Sequence, residues 1–186
     1  NKHVQQYVIE SLKYWMLEYH IDGFRFDQAH LLSLETAELI SNELRSINPG
    51  VIIYGEAWDN RSKEFSEIEW GSFNAHFRDV IRGDLHNFEQ KGFLFGSYRA
   101  NEDKNDLKSI ISGTSKISGG VYKRSHHAIN FLEVHDDYCF SDFLRLSSGE
   151  NKKDDLIKDK LSHISLSPRL KRMNKLAAFI LFTSQG

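Results

Sequence analysis

The chain has 186 residues, 24 Lys+Arg against 26 Asp+Glu, and a net charge of −2. A balance this even gives no electrostatic reason to expect nucleic acid or an anionic membrane as the main partner. With 40% hydrophobic and 12% aromatic residues the sequence can bury a core, which argues against disorder. One cysteine, Cys139, can form neither an internal disulfide nor a cysteine-based zinc site, and reads as a small buried apolar residue. The first residues, Asn1 to Gln6, lack the plan of a signal peptide and include no initiator Met, so a piece of a longer chain is expected.

From Val4, the residues Val8, Leu12, Trp15 and Tyr19 continue a stripe at helical spacing, with Asn1 as N-cap. In Ile21–Asp27 the period changes to two: Phe24 and Phe26 point one way, Arg25 and Asp27 the other. Ser33 caps a second predicted helix through about Ser46, with Leu34, Leu39, Ile40 and Leu44 inward and Asn48-Pro49-Gly50 as its stop. Val51–Tyr54 reads as a buried strand ending on Gly55-Glu56. The order helix, strand, helix, strand predicts an α/β fold with a parallel sheet covered by helices.

Gly71–Asn74 is a further short strand, followed by a helix around His76–Arg82 that Gly83 ends. Residues 89–125 form a long excursion with some helix near Leu107–Ile111. Ala128–Val134 is the next predicted strand and leads into His135-Asp136. The charged stretch 147–167 reads as a solvated loop or exposed helix turn, and Pro168 opens a last helix to about Thr183 carrying Leu170, Met173, Leu176, Ala177, Ile180 and Leu181. His126 and His127 read as loop residues.

Three predicted strands thus finish on ionisable groups: Arg25 and Asp27, Glu56, then His135 and Asp136. In a parallel α/β fold the C-terminal strand ends share one face, so these groups converge. Converging carboxylates raise one another's pKa, suiting one to stay protonated while an arginine keeps another ionised. Glycoside hydrolysis needs that division, with one acid for the leaving oxygen and one carboxylate for the anomeric carbon. A metal site of Asp, Glu and His uses the same residue types, so spacing alone leaves both chemistries open.

The stretches Gly23-Phe24-Arg25-Phe26-Asp27, Gly55-Glu56-Ala57-Trp58-Asp59 and Asn130-Phe131-Leu132-Glu133-Val134-His135-Asp136 resemble, in order and spacing, three short conserved regions of the α-amylase superfamily, glycoside hydrolase family 13. The resemblance implies a partial (β/α)8 TIM barrel, about strands four to seven, with the whole chain inside one catalytic domain. It makes Asp27 the nucleophile, Glu56 the general acid/base, and Asp136 and His135 the groups that orient and bind the sugar. Arg25 would hold Asp27 ionised and aimed. No cofactor is implied, no metal ligands are assigned, and a structural calcium is compatible.

Within the superfamily the chain is most similar to the pullulanase and isoamylase branch, which cleaves α-1,6 branch points of α-glucans. Trp58 matches the Glu-x-Trp of debranching enzymes and offers a stacking face for a sugar. Phe73-Asn74 with Phe77–Gly83 resembles their sixth-strand region, and Leu181–Gly186 the lead-in to their eighth strand. His30 and Leu31 stand where α-amylases carry Lys-His, which argues against an ordinary α-amylase and leaves His30 as a candidate acceptor-subsite residue. Asp137 stands where many debranching enzymes have Asn. An α-1,4-acting hydrolase or transglycosylase on the same scaffold is the competing enzyme reading, and an inactive glycan-binding member the non-enzyme one. The region on the third strand is absent from this sequence, so the isolated segment is expected to be inactive, with unpaired sheet edges that favour aggregation or dimerisation.

Overall fold

Local sequence signals set most of the element boundaries in the computed structural model, which describes residues 1–58, 60–97, 104–158 and 165–186. The described residues divide into two compact units. One comprises Asn1–Phe73, Ser115–Ile129 and Gly186, the other Asn74–Thr114 and Asn130–Gln185. Among the described residues no helix is long and apolar enough to cross a membrane.

In the first unit, Asn1 caps helix α1 (Lys2–Tyr19) by accepting the His3 N–H. Its buried residues are Ile9 and Met16, with Val8 and Leu12 packed beside them. This corrects the predicted stripe, because Val4, Trp15 and Tyr19 are exposed. Strand β1 (Gly23–Phe26) pairs in parallel with β2 (Ile52–Gly55), which pairs with β3 (Gly71–Phe73), which pairs with β4 (Ala128–Ile129). The strand order is the chain order, β1-β2-β3-β4.

Helix α2 (Leu34–Ile47) starts at Ser33, whose hydroxyl accepts the Thr36 N–H, and buries Ala37, Ile40, Ser41 and Leu44. Leu39, expected inward, is exposed. Ile53 is buried in the same core, a full burial worth about 1.5–3 kcal/mol, and Phe24 and Phe26 pack against it partly buried. Ile52 points from the other sheet face and is 60% exposed, so the strand is buried on one side rather than on both. Helix α3 (Arg61–Glu67), which the sequence reading missed, buries Ser62, Phe65 and Ser66. Trp70 is fully buried between Phe26 and Phe65, with ring centroids 4.8 and 5.2 Å away.

His127 is no loop histidine, because it is buried just before β4. The Ser66 hydroxyl oxygen accepts the Lys123 N–H at 2.8 Å, so its own proton is free for His127 Nδ1 at 2.9 Å, leaving Nε2 facing Glu69 Oε2 at 3.4 Å. Burial first, then His126, pushes the His127 pKa below its ordinary value; Arg124 and Lys123 also lower it, while Glu69 opposes. The unfolded chain therefore takes up this proton at higher pH than the folded one does, and stability is lost as pH falls from about 6.5 toward the folded value. Thermal melts at pH 7 and pH 5 check this: the wild-type protein loses more Tm over that interval than His127→Gln, and equal losses would contradict the assignment.

The second unit opens at Asn74, which caps α4 (Ala75–Arg82) by accepting the Phe77 N–H. The same side chain's amide donates to Thr114 Oγ1 at 2.8 Å and Asn130 Oδ1 at 3.0 Å. Gly83, at φ +108°, ends α4 as predicted; an added Cβ would lie 2.4 Å from the Gln90 carbonyl oxygen. Helices α5 (Lys104–Ile111), α6 (Phe140–Ser148), α7 (Lys153–Lys158) and α8 (Pro168–Thr183) follow. Phe77, Ile81, Phe143, Leu144, Leu170 and Ala177 form the centre of this unit's core. Leu176, expected on the inner face of α8, is 43% exposed.

The helix expected near Leu107–Ile111 is present as α5, and the stretch read as a solvated loop or exposed helix turn is partly helical. The excursion 89–125 contains α5, with residues 98–103 outside the described residues, and the stretch 147–167 contains the end of α6 and α7, with 159–164 outside them. The predicted strand Ala128–Val134 is corrected to Ala128–Ile129, because beyond Ile129 side chains rather than a ladder take the backbone groups. Cys139 is exposed at the start of α6, contrary to the buried reading.

Candidate active site

In the parallel register Arg25 lies opposite Tyr54 and Phe26 opposite Gly55, so the next residues, Asp27 and Glu56, leave neighbouring strands side by side. Because side chains alternate across a sheet, Arg25 and Asp27 share the face opposite Phe24 and Phe26, as predicted. The backbone continues the pairing for one step, with Glu56 N–H donating to the Phe26 carbonyl at 3.0 Å. A carboxylate oxygen of Asp27 and one of Glu56 lie within 4.8 Å of one another.

Arg25 joins the two acids. Its Nη1 is 2.8 Å from Asp27 Oδ1, and its Nη2 donates to Glu56 Oε1. The second oxygen of Glu56 accepts the Gln28 backbone N–H at 3.2 Å. Gln28 turns through a left-handed conformation, φ 44°, which aims this N–H back at the strand end. Glu56 is buried and Asp27 largely exposed, with side-chain exposures of 4% and 59%. The pair is thus asymmetric: one carboxylate sits in the wall with both oxygens engaged, the other faces solvent.

His30 belongs to the same cluster through the backbone. Its N–H and Nδ1 both reach the Glu56 carbonyl oxygen, at 3.1 and 3.2 Å. The side chain therefore braces the residue that carries the acid. Trp58 is half-buried with its ring centroid 6.3 Å from that of Phe73, and Asp59 lies outside the described residues. His135 and Asp136 belong to the second unit, where both are exposed and His135 Nε2 lies 3.5 Å from Asp136 Oδ1. Asp137 beside them adopts φ 60°, a conformation that Asn and Asp tolerate better than other residues with a Cβ.

Two participants were not among the site residues expected from the sequence. Phe73, at the end of β3, lies under the Arg25 guanidinium at 5.5 Å and beside Tyr54 at 5.8 Å, a platform that fixes the arginine from below. The strand-end rule that found the acids applies to Phe73 equally, but attention to ionisable groups passed over it. The Gln28 N–H carries no side-chain signature at all. A cleft of about 390 Å³ in the first unit lies at the opposite ends of the strands, lined by Arg45, Val51, Glu69, Gly71 and His127, and contains none of the candidate acids.

No protein-family model matches the chain. Among known proteins it is similar to the pullulanase of Bacillus subtilis, 26% identical over 98% of this chain and 25% of that protein. It is also similar to the chloroplastic isoamylase 1 of Arabidopsis thaliana, 25% identical over 81% of this chain and 22% of that protein. Among solved structures, a pullulanase from Paenibacillus barengoltzii in complex with maltohexaose and alpha-cyclodextrin superposes with a TM-score of 0.78 at 28% identity, covering 98% of this chain and 28% of that one. The chain spans about a quarter of the length of the curated relatives it matches. Its homologues are debranching glycoside hydrolases of the pullulanase and isoamylase type, and the resemblance runs along the whole chain.

Proposed function

We propose that this chain is the strand-four-to-seven part of a catalytic (β/α)8 barrel in a retaining α-glucan hydrolase that cleaves α-1,6 branch points. The observation that carries this reading is the adjacency of Asp27 and Glu56 on neighbouring parallel strands with Arg25 between them. One oxygen of each lies within 4.8 Å of one of the other, which supports the short carboxyl spacing at which the second carboxyl attacks directly over the wider one that leaves room for a water. The homologues and the oligosaccharide-bound pullulanase support the substrate class.

In this mechanism Asp27, the exposed carboxylate, attacks the anomeric carbon, and the bond to the glycosidic oxygen breaks as Glu56 gives that oxygen its proton. Glu56 then takes a proton from water, the water oxygen attacks the anomeric carbon, and the ester to Asp27 is released. Arg25 fixes the direction of the Asp27 oxygens through a charge-assisted contact. Asp136 and His135 bind sugar hydroxyls, and Trp58 offers a ring face to a sugar. The cycle needs carboxylates and water and no cofactor. Assay of the full-length protein that carries this segment on pullulan and on linear amylose tests the specificity: maltotriose from pullulan is the expected product, and cleavage of amylose with none from pullulan would overturn the reading.

A further inference from the structure

We propose that Arg82 is a positioning residue for this reaction: its guanidinium, bonded to the Leu132 carbonyl oxygen, fixes the ladder-free segment that carries His135 and Asp136. The inference rests on the role of Asp136 proposed above.

The chain beyond Ile129 has left the sheet, yet Phe131 and Leu132 are only 7% and 6% exposed. A buried carbonyl there needs a donor that no neighbouring strand supplies. Arg82 Nη1 provides it at 2.6 Å. One helical turn earlier on α4, the Arg78 guanidinium lies over the Phe131 ring at 5.4 Å. Residues four apart share a helix face, so α4 grips two consecutive residues of the segment with two arginines. Downstream, the Glu133 carboxylate accepts the Phe140 N–H at the start of α6, and upstream Asn130 is held by Asn74. The stretch from Asn130 to Phe140 is therefore fixed by side chains at intervals, and Arg82 holds it near its start, at Leu132.

Arg82 is an expensive device for that task. It is 2% exposed, and its Nε is buried with no hydrogen-bond partner among the described residues. Its guanidinium stacks on Phe143 at 4.6 Å. Burial pulls its pKa down to about 10, with Arg78 adding to the shift and Asp79, Asp137 and Glu133 opposing it. An apolar side chain of similar volume would fill the same core without a buried charge. What such a side chain cannot do is hold the Leu132 carbonyl at a fixed place, four residues before Asp136.

The test uses the full-length protein that carries this segment. In Arg82→Ala, kcat on pullulan is expected to fall about 10²-fold, the scale of a misplacement of about 1 Å, at a temperature where circular dichroism reports a folded protein. Guanidinium ion at non-denaturing concentration restores kcat several-fold, whereas sodium at equal ionic strength does not. Arg82→Lys, which keeps the stem against Phe143, is the second variant should the alanine form fail to fold, and its kcat is expected to fall about tenfold. A folded variant with wild-type kcat overturns the proposal, as does a loss in folded Arg82→Ala that guanidinium fails to reverse. Asp136→Asn separates the two levels: wild-type turnover there would overturn the reading of Asp136 itself, whereas an inert Asp136→Asn beside a fully active Arg82 variant removes only the role of Arg82.

Discussion

On the reading proposed above, Glu56→Gln in the full-length protein is expected to lower kcat on pullulan by about 10²–10⁴-fold, the usual worth of a positioned general acid. The amide fills the same space and has no proton to give the glycosidic oxygen. The substitution also disturbs the resting site, because both Glu56 oxygens face donors, Arg25 on one side and the Gln28 N–H at 3.2 Å on the other. Whichever way the amide turns, its NH₂ meets a donor, leaving buried groups unpaired at about 1–3 kcal/mol. Stability and catalysis are separated by the leaving group: an aryl α-maltotrioside, whose phenolate departs unassisted, recovers most of the lost first-step rate. An equal first-step loss on both substrates would sink the acid assignment, since a missing nucleophile would harm both alike.

Gly55→Ala is expected to destabilise the protein by about 1–3 kcal/mol, the range for overpacking a filled core. A Cβ at this position would lie 2.4 Å from the Ala29 Cβ and 3.0 Å from the Phe26 carbonyl oxygen. Something must shift, and both neighbours belong to the strand end and turn that carry Asp27, Gln28 and His30. Removing the obstructing methyl should relieve most of the strain, so Gly55→Ala with Ala29→Gly unfolds in urea closer to wild type than the sum of the single changes predicts. Simple additivity of the two would show that the clash is absorbed elsewhere. The glycine before the acid is thus a packing requirement.

How much of this was legible beforehand depended on where the signal lay. Capping residues and punctuators gave reliable boundaries: Asn1, Ser33, Gly83 and Pro168 each stand where an element begins or ends. The phase of α1 did not follow from periodicity, because Tyr7, Tyr14, Leu17 and Tyr19 surround the helix with apolar side chains and offer a second stripe; packing into the core with residues of α2 and β2 selects Ile9 and Met16. Helix α3 was invisible because the face it buries includes two serines, which pattern reading scores as polar.

At the candidate site the acids were readable as strand-end residues within recognisable motifs. Arg25 was expected to serve Asp27, and its second contact, to Glu56, depends on a register that no single strand encodes. His127 was read as a loop residue because its partners, Ser66 and Glu69, are some sixty residues away in sequence. Arg82 was placed correctly at the end of its helix, but its burial left no trace in the sequence, because the carbonyl that draws it inward belongs to a segment expected to be a strand.

The exposed thiol has a practical corollary. Cys139 is the sequence's single cysteine, stands three residues after Asp136, and its sulfur has polar contacts with Ser141 and Asp142. A maleimide dye on this segment therefore attaches at one defined position beside the stretch that Arg82 is proposed to fix. Its fluorescence anisotropy turns the order of that segment into an optical signal.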